Sequence, residues 1–169
     1  MGYKRQTDVL QIMGTFEYLK QFLDWRFFRL GTTAVEVTSL TVKLPSGQVR
    51  YVRKKHRIPD LIVLTTGGAQ QLCDDDHKIT LSHDSPLLII DWVSEPGTEE
   101  SYIDQRAQYE SRGVYEYWII DNHQKQVSVL TLTDDGYEEA CYRGEDWVNS
   151  KAFPELALTA CGMLPLEAQ

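Results

Sequence analysis

Two short apolar runs, each containing an aspartate, most constrain how this chain can fold. The runs are Pro59–Thr65 (PDLIVLT) and Pro86–Val93 (PLLIIDWV). Runs of this length and composition are typical of strands buried on both faces. An isolated carboxylate is costly in such a strand, and yet Asp60 opens the first run and Asp91 lies late in the second. If the two strands are neighbours, both carboxylates can point into one site.

A shared site for two carboxylates favours a metal ion. Two close carboxylates repel each other, and the pKa of one would rise unless a cation lies between them. Mg²⁺ suits such a pair, because it takes one or two carboxylates together with water and phosphate oxygens. The structural alternative makes Asp60 a turn residue at a strand start and Asp91 a cap at a strand end. A second acidic stretch, Asp74–His77, lacks the ligand spacing of an EF-hand and is interpreted as a solvated loop.

The remaining pattern predicts one α/β domain over residues 1–169, with a mixed sheet. Apolar residues at helical spacing predict a first helix over residues 8–30. The other expected elements are strands at Ala34–Leu44, Gln48–Lys54 and Tyr115–Asp121, a helix at Glu99–Arg112 ended by Gly113, and a hairpin of Gln126–Thr133 with Tyr137–Arg143. Residues 67–85 are expected to form a polar loop, and residues 153–166 a loop with a short strand.

Composition excludes several classes of protein. Apolar residues make up 42% and charged residues 25% of the chain, which is typical of globular domains. No apolar run approaches the roughly 20 residues of a membrane-spanning helix, and we expect no secretory signal at the N-terminus. The three cysteines share no CxxC spacing, so we expect no disulfide framework and a cytoplasmic location. No GxxxxGK[ST] or GxGxxG motif indicates a nucleotide site.

Charge is distributed unevenly along the chain. Residues 1–57 carry 11 Lys/Arg and 4 Asp/Glu, whereas residues 58–169 carry 6 and 21. The basic residues nearest to Asp60 are predicted to contact nucleic-acid phosphates: Arg50, Arg53, Lys54, Lys55 and Arg57. The alternative is a solvated edge strand protected by its lysines. Tyr51, within this stretch, could stack on a base, although its alternating spacing is also typical of a packing residue.

Three segments, taken in order, resemble the Uma-type restriction endonucleases of the PD-(D/E)XK nuclease superfamily. They are RIPDL (57–61), LLIIDWVS (87–94) and GVYEYWIID (113–121). The resemblance covers residues 48–158, which form the core, while residues 1–47 form a lead-in of helix and strand. It implies a restriction-endonuclease-like α/β fold, with a mixed sheet flanked by helices. It also implies hydrolysis of DNA phosphodiester bonds with Mg²⁺ (or Mn²⁺).

The resemblance assigns roles to residues of this sequence. Asp60, Asp91 and the backbone carbonyl of Trp92 correspond to the metal ligands. The family's catalytic lysine, aligned through Tyr109, corresponds to Gln105, and the other superfamily position for it is Val93. Glutamine can hold a water molecule but has no titratable proton.

Two alternatives to an active nuclease therefore stay open: an inactive relative that binds nucleic acid, and a protein-interaction domain.

Three further charged residues are candidates for this site. Arg106, beside Gln105, stays protonated and is a poor base. Glu17 is the obvious acidic residue of the first helix, and Glu116 is interpreted as a structural residue. A homodimer through the first helix is a further expectation, from analogy with the superfamily.

Overall fold

The computed structural model describes Glu17 and residues 28–31, 33–53, 55–72, 78–93 and 98–164. In chain order, the strands are β1 (Phe28–Leu30), β2 (Ala34–Glu36), β3 (Leu40–Lys43), β4 (Val49–Val52), β5 (His56–Arg57), β6 (Leu61–Val63), β7 (Lys78–Ile79), β8 (Leu88–Val93), β9 (Glu116–Asp121), β10 (Gln126–Thr133) and β11 (Gly136–Arg143). The helices are α1 (Thr66–Gln71), α2 (Glu99–Arg112) and α3 (Ala160–Met163). None of the helices in these ranges is long and apolar enough to cross a membrane.

A six-stranded mixed sheet forms the centre of the fold, in the order β1-β6-β8-β9-β10-β11. Strands β8 and β9 are parallel, and every other neighbouring pair in this sheet is antiparallel. The parallel pair is joined by α2, the crossover that parallel neighbours require. The predicted α/β fold with a mixed sheet is therefore confirmed.

Apolar side chains cover both faces of this sheet. On one face, residues of β6, β8 and β9 pack against the C-terminal segment, including Phe153 and Met163. On the other face, the alternate residues of the same strands pack against α2 and against β2 and β7. This two-sided burial explains why β6 and β8 read as continuous apolar runs rather than as alternating ones.

Two smaller sheets lie beside the central one. Strands β5, β2 and β7 form a three-stranded sheet, and β3 and β4 form a hairpin. The expected single strand at 34–44 is thus wrong, because the chain leaves the first small sheet at Thr38. There the Thr38 carbonyl accepts a hydrogen bond from Gln108 Nε2 of α2 at 3.0 Å.

Other sequence expectations need correction at the ends of the chain and in one loop. The expected helix over 8–30 lies mostly outside the described residues, as does the dimer surface expected on it, and its last three residues form β1, paired with β6. The expected loop at 67–85 contains α1 and β7, and the C-terminal segment contains α3. Helix α1 was missed because its sequence, TGGAQQ, has no apolar repeat; the Thr65 side chain caps it by accepting from the Gly68 amide.

Helix α2 begins and ends where the sequence predicts. The Thr98 side chain caps its start, and Gly113 ends it in the left-handed conformation with φ 79°. Two of its side chains, four residues apart, hold the backbone of Tyr137 in β11: Glu110 accepts from the Tyr137 amide, and Arg106 donates to the Tyr137 carbonyl. These contacts fix the rotation of α2 about its axis relative to the sheet.

Gly113→Ala is expected to lower the free energy of unfolding by about 1–2 kcal/mol. A Cβ at this positive φ is strained, and it would approach Ser85 Oγ to 3.2 Å. Ser85 cannot easily move, because its hydroxyl bonds both the Arg112 carbonyl and the Arg112 guanidinium. Urea denaturation measures the loss. Gly162→Ala is the matched control, since φ at Gly162 is not positive and its Cβ would have ordinary contacts; an equal loss there would contradict this explanation.

Candidate active site

Asp60 and Asp91 lie on the same face of two neighbouring strands. In the antiparallel register of β6 and β8, Leu61 is opposite Ile90. Asp60 directly precedes β6, and continuing the register by one position sets it opposite Asp91, on the same face. The expectation that the two strands are neighbours is therefore confirmed. The role of the two carboxylates stays a prediction.

The backbone of β8 holds the Asp60 carboxylate in place. Asp60 Oδ2 accepts a hydrogen bond from the Trp92 amide at 2.7 Å. Trp92, whose carbonyl is the expected metal ligand, thus binds Asp60 through its amide. Asp60, Asp91 and Trp92 are brought together by this contact and by the strand register.

Helix α2 places Gln105 against Asp91. Gln105 Nε2 donates a hydrogen bond to Asp91 Oδ2, and both residues are half-buried. The three residues expected at the reaction centre, Asp60, Asp91 and Gln105, therefore form one cluster. The amide adds a donor to this cluster but neither a charge nor a base.

Two buried tyrosines, Tyr109 of α2 and Tyr117 of β9, lie near Asp91. The rings of Tyr109 and Tyr117 meet edge to face, with centroids 4.8 Å apart. Burial raises the pKa of both phenols well above the usual value, and the charge of Asp91 raises it further. These phenols stay neutral near pH 7, so they act as dipoles beside the carboxylate.

The predicted phosphate-binding residues divide into buried, paired and exposed ones. Arg57 is buried, a correction to its expected place on the surface, and its Nε donates to Gln108 Oε1 at 2.9 Å. Arg50 forms an ion pair with Asp104 at 2.6 Å. Arg53 and Lys55 are exposed, and Lys54 lies outside the described residues.

The other acidic and basic candidates lie away from the Asp60–Asp91 pair. Glu116 is fully buried and binds the C-terminal segment, which supports its structural interpretation. Arg106 turns away from Gln105 towards β11, where it pairs with Glu139 at 3.1 Å. Glu17 is an exposed residue in helical conformation, and the acidic stretch at 74–77 lies outside the described residues. Within the described ranges, no three His, Cys, Asp or Glu side chains are close enough to hold a metal on their own.

Comparisons with known proteins agree with this architecture. A solved structure described as "a putative nuclease belonging to DUF820", from Anabaena variabilis ATCC 29413, has a TM-score of 0.65 to this chain. It is 14% identical, and the match covers 96% of this chain and 82% of that chain, a likeness that shows the shared fold. No curated protein sequence matches the chain. The model of the family described as "Uma2: Putative restriction endonuclease" matches residues 16–161. Because that match spans most of the sequence, the chain belongs to the Uma2 family.

Proposed function

We propose that this protein is a metal-dependent nuclease that hydrolyses phosphodiester bonds of DNA. The observation that carries the proposal is the pairing of Asp60 with Asp91 on one face of neighbouring strands, with Gln105 of α2 in contact with Asp91. Membership of a family described as restriction endonucleases supports the same reaction class.

The residues present fit a hard divalent cation. Asp60, Asp91 and the Trp92 carbonyl would hold Mg²⁺ (or Mn²⁺). Oxygen atoms are the ligands that these ions prefer, and Mg²⁺ in particular needs only one or two protein carboxylates, because waters and substrate phosphates complete its shell. The lack of a third carboxylate or histidine within the described residues is consistent with that partial shell. When bound, such an ion lowers the pKa of a coordinated water and neutralises phosphate charge.

The remaining residues of the cluster orient the carboxylates. The Trp92 amide fixes Asp60 at 2.7 Å, and Gln105 donates to Asp91. Both carboxylates are thus held as hydrogen-bond acceptors.

A second candidate is an inactive member of the family that binds nucleic acid or a protein without cleaving it. The observation that favours it is Gln105, a neutral amide at the position where the family has its catalytic lysine. An amide can position water by hydrogen bonds, but it cannot accept the proton.

Nicking of supercoiled plasmid DNA in Mg²⁺ or Mn²⁺ distinguishes the two candidates. We expect the native protein to nick the plasmid and Asp91→Asn to lose at least 100-fold in rate, since the substitution removes a ligand charge. Asp134→Asn is the matched control, because Asp134 is exposed at the β10–β11 turn. Calorimetric titration with Mn²⁺ tests whether Asp91→Asn also weakens metal binding.

Nicking by Asp91→Asn at the native rate would contradict the proposed site. A folded native protein that nicks nothing in either metal would favour the inactive relative. Circular dichroism of each variant shows whether it is folded.

A further inference from the structure

The β3–β4 hairpin has one buried face and one exposed face. Val42 and Val52 are buried, and β3 packs against α2. On the other face, Tyr51 is 57% exposed and Arg53 is exposed. The Tyr51 ring is therefore available at the surface and is not a packing residue.

A groove of about 410 Å³ lies between this hairpin and the first turns of α2. Polar and basic side chains dominate its walls: Arg50, Tyr51, Val52, Arg53, Arg57, Thr98, Ser101 and Asp104. Three arginines against one aspartate leave it with a formal charge of +2. Asp104 pairs with Arg50, so that Arg53 and Arg57 are the arginines without a carboxylate partner among the described residues.

Aromatic and cationic groups lie side by side in this groove. The Arg53 guanidinium carbon is 6.0 Å from the centre of the Tyr51 ring, and Arg53 is the exposed residue that directly follows β4. An exposed tyrosine face beside arginines is the arrangement that proteins use to bind single strands, with bases stacked on the ring and phosphates bound by the cations.

Arg57 links the groove to the candidate active site. It lines the groove, and it lies three residues before Asp60 in the chain. Its Nε is held by Gln108, which lies one helical turn beyond Gln105 on the same side of α2. Arg57 therefore places the groove beside the segment that carries Asp60.

The form of the nucleic acid follows from the stacking surface. In a duplex, neighbouring bases cover the faces of each base, and exposing one requires unstacking. Tyr51 can therefore stack only on an unpaired base. The rest of the chain offers little basic surface for a duplex, since residues 58–169 carry 21 acidic and 6 basic residues.

We propose that this groove binds single-stranded nucleic acid, with Arg53 on a phosphate and Tyr51 stacked on an unpaired base. The inference rests on the proposed function in taking nucleic acid as the ligand. It deepens that function by naming the form of substrate that reaches Asp60 and Asp91.

Fluorescence anisotropy tests the inference without any cleavage, using native protein in EDTA. The probes are labelled oligothymidine, oligouridine and a duplex of equal length. We expect the single strands to bind more tightly than the duplex, and the first two probes to show whether DNA or RNA is preferred. Tyr51→Leu should weaken single-strand binding by about 5-fold to 100-fold, whereas Tyr51→Phe should retain it. Arg53→Gln should lower the salt dependence of log K by about 0.7.

Tyr115→Leu is the matched control, because Tyr115 is also exposed but does not line the groove. Equal affinity for duplex and single strand would overturn the inference, as would an unchanged affinity in Tyr51→Leu or a loss shared by Tyr115→Leu. A cleavage assay on both plasmid and labelled oligothymidine in Mn²⁺ keeps the two proposals separate. Cleavage without any single-strand preference in binding contradicts only the groove. Tyr51-dependent binding without cleavage of either substrate contradicts only the nuclease.

Discussion

Glu116→Ala is expected to lower the free energy of unfolding by about 3–5 kcal/mol. Glu116 is fully buried in β9. Its carboxylate accepts hydrogen bonds from Trp118 Nε1 at 2.9 Å, from Ser150 Oγ at 2.7 Å, and from the amides of Lys151 and Ala152 at 2.5 and 3.0 Å. Alanine would leave these buried donors unpaired and would release the C-terminal segment from the sheet. Urea denaturation followed by tryptophan fluorescence measures the change.

A graded pair of variants makes the Glu116 prediction specific. Glu116→Gln keeps the shape and one acceptor oxygen but turns an NH₂ group towards existing donors, so we expect an intermediate loss of about 1–3 kcal/mol. Glu138→Ala, at an exposed glutamate of β11, should change the stability by less than about 0.5 kcal/mol. Similar losses in Glu116→Ala and Glu138→Ala would show that the hydrogen bonds of Glu116 contribute little.

Gln105→Lys is expected to raise the rate of plasmid nicking by about 100-fold or more, the size of effect typical of a general acid–base group. The native amide already contacts Asp91, so a lysine side chain at this position would start from the same place on α2 and would lie beside the two carboxylates. Its ammonium would add a cation beside Asp91 and a titratable proton beside the reacting phosphate. Initial rates of nicking, measured with native protein and variant at equal concentration, test this expectation.

Gln105→Met is the matched control for the added charge, since methionine has a similar length but neither charge nor hydrogen-bonding amide. We expect it to nick no faster than the native protein. If a folded Gln105→Lys protein gains nothing over Gln105→Met, then this position of α2 does not act on the phosphate, and the alignment through Tyr109 loses its functional meaning.

The sequence predicts those parts of the fold that local chemistry decides. The end of α2 was predictable because Gly113 takes φ 79° without strain. The β10–β11 hairpin was predictable from Asp134-Asp135-Gly136 at its turn. Phe28–Leu30 was predicted wrongly, because its apolar residues suit a helix as well as a strand, and only its pairing with β6 decides between them.

The candidate site shows the same division. The pairing of Asp60 with Asp91 could be expected, since carboxylates in apolar strands are rare enough to be informative. The buried Arg57–Gln108 contact could not, because it joins residues 51 positions apart through two polar side chains that usually lie at the surface. The part played by Tyr117 was also hidden. Nothing in EYWIID distinguishes an ordinary core phenol from one whose pKa the charge of Asp91 raises.

The hydrogen bonds from Arg106 and Glu110 to the backbone of Tyr137 affect how this protein can be altered or can evolve. Tips of hairpins at the surface usually tolerate insertions, because little depends on them. Here the strand that follows the β10–β11 turn holds α2, and α2 carries Gln105 to Asp91. Lengthening that hairpin would shift the register of Tyr137 and turn the helix, so the alignment of Gln105 with Asp91 depends on the edge strand β11. Substitutions in the β10–β11 hairpin can therefore shift Gln105 relative to Asp91 without changing either residue. Tags or fused domains are better attached elsewhere.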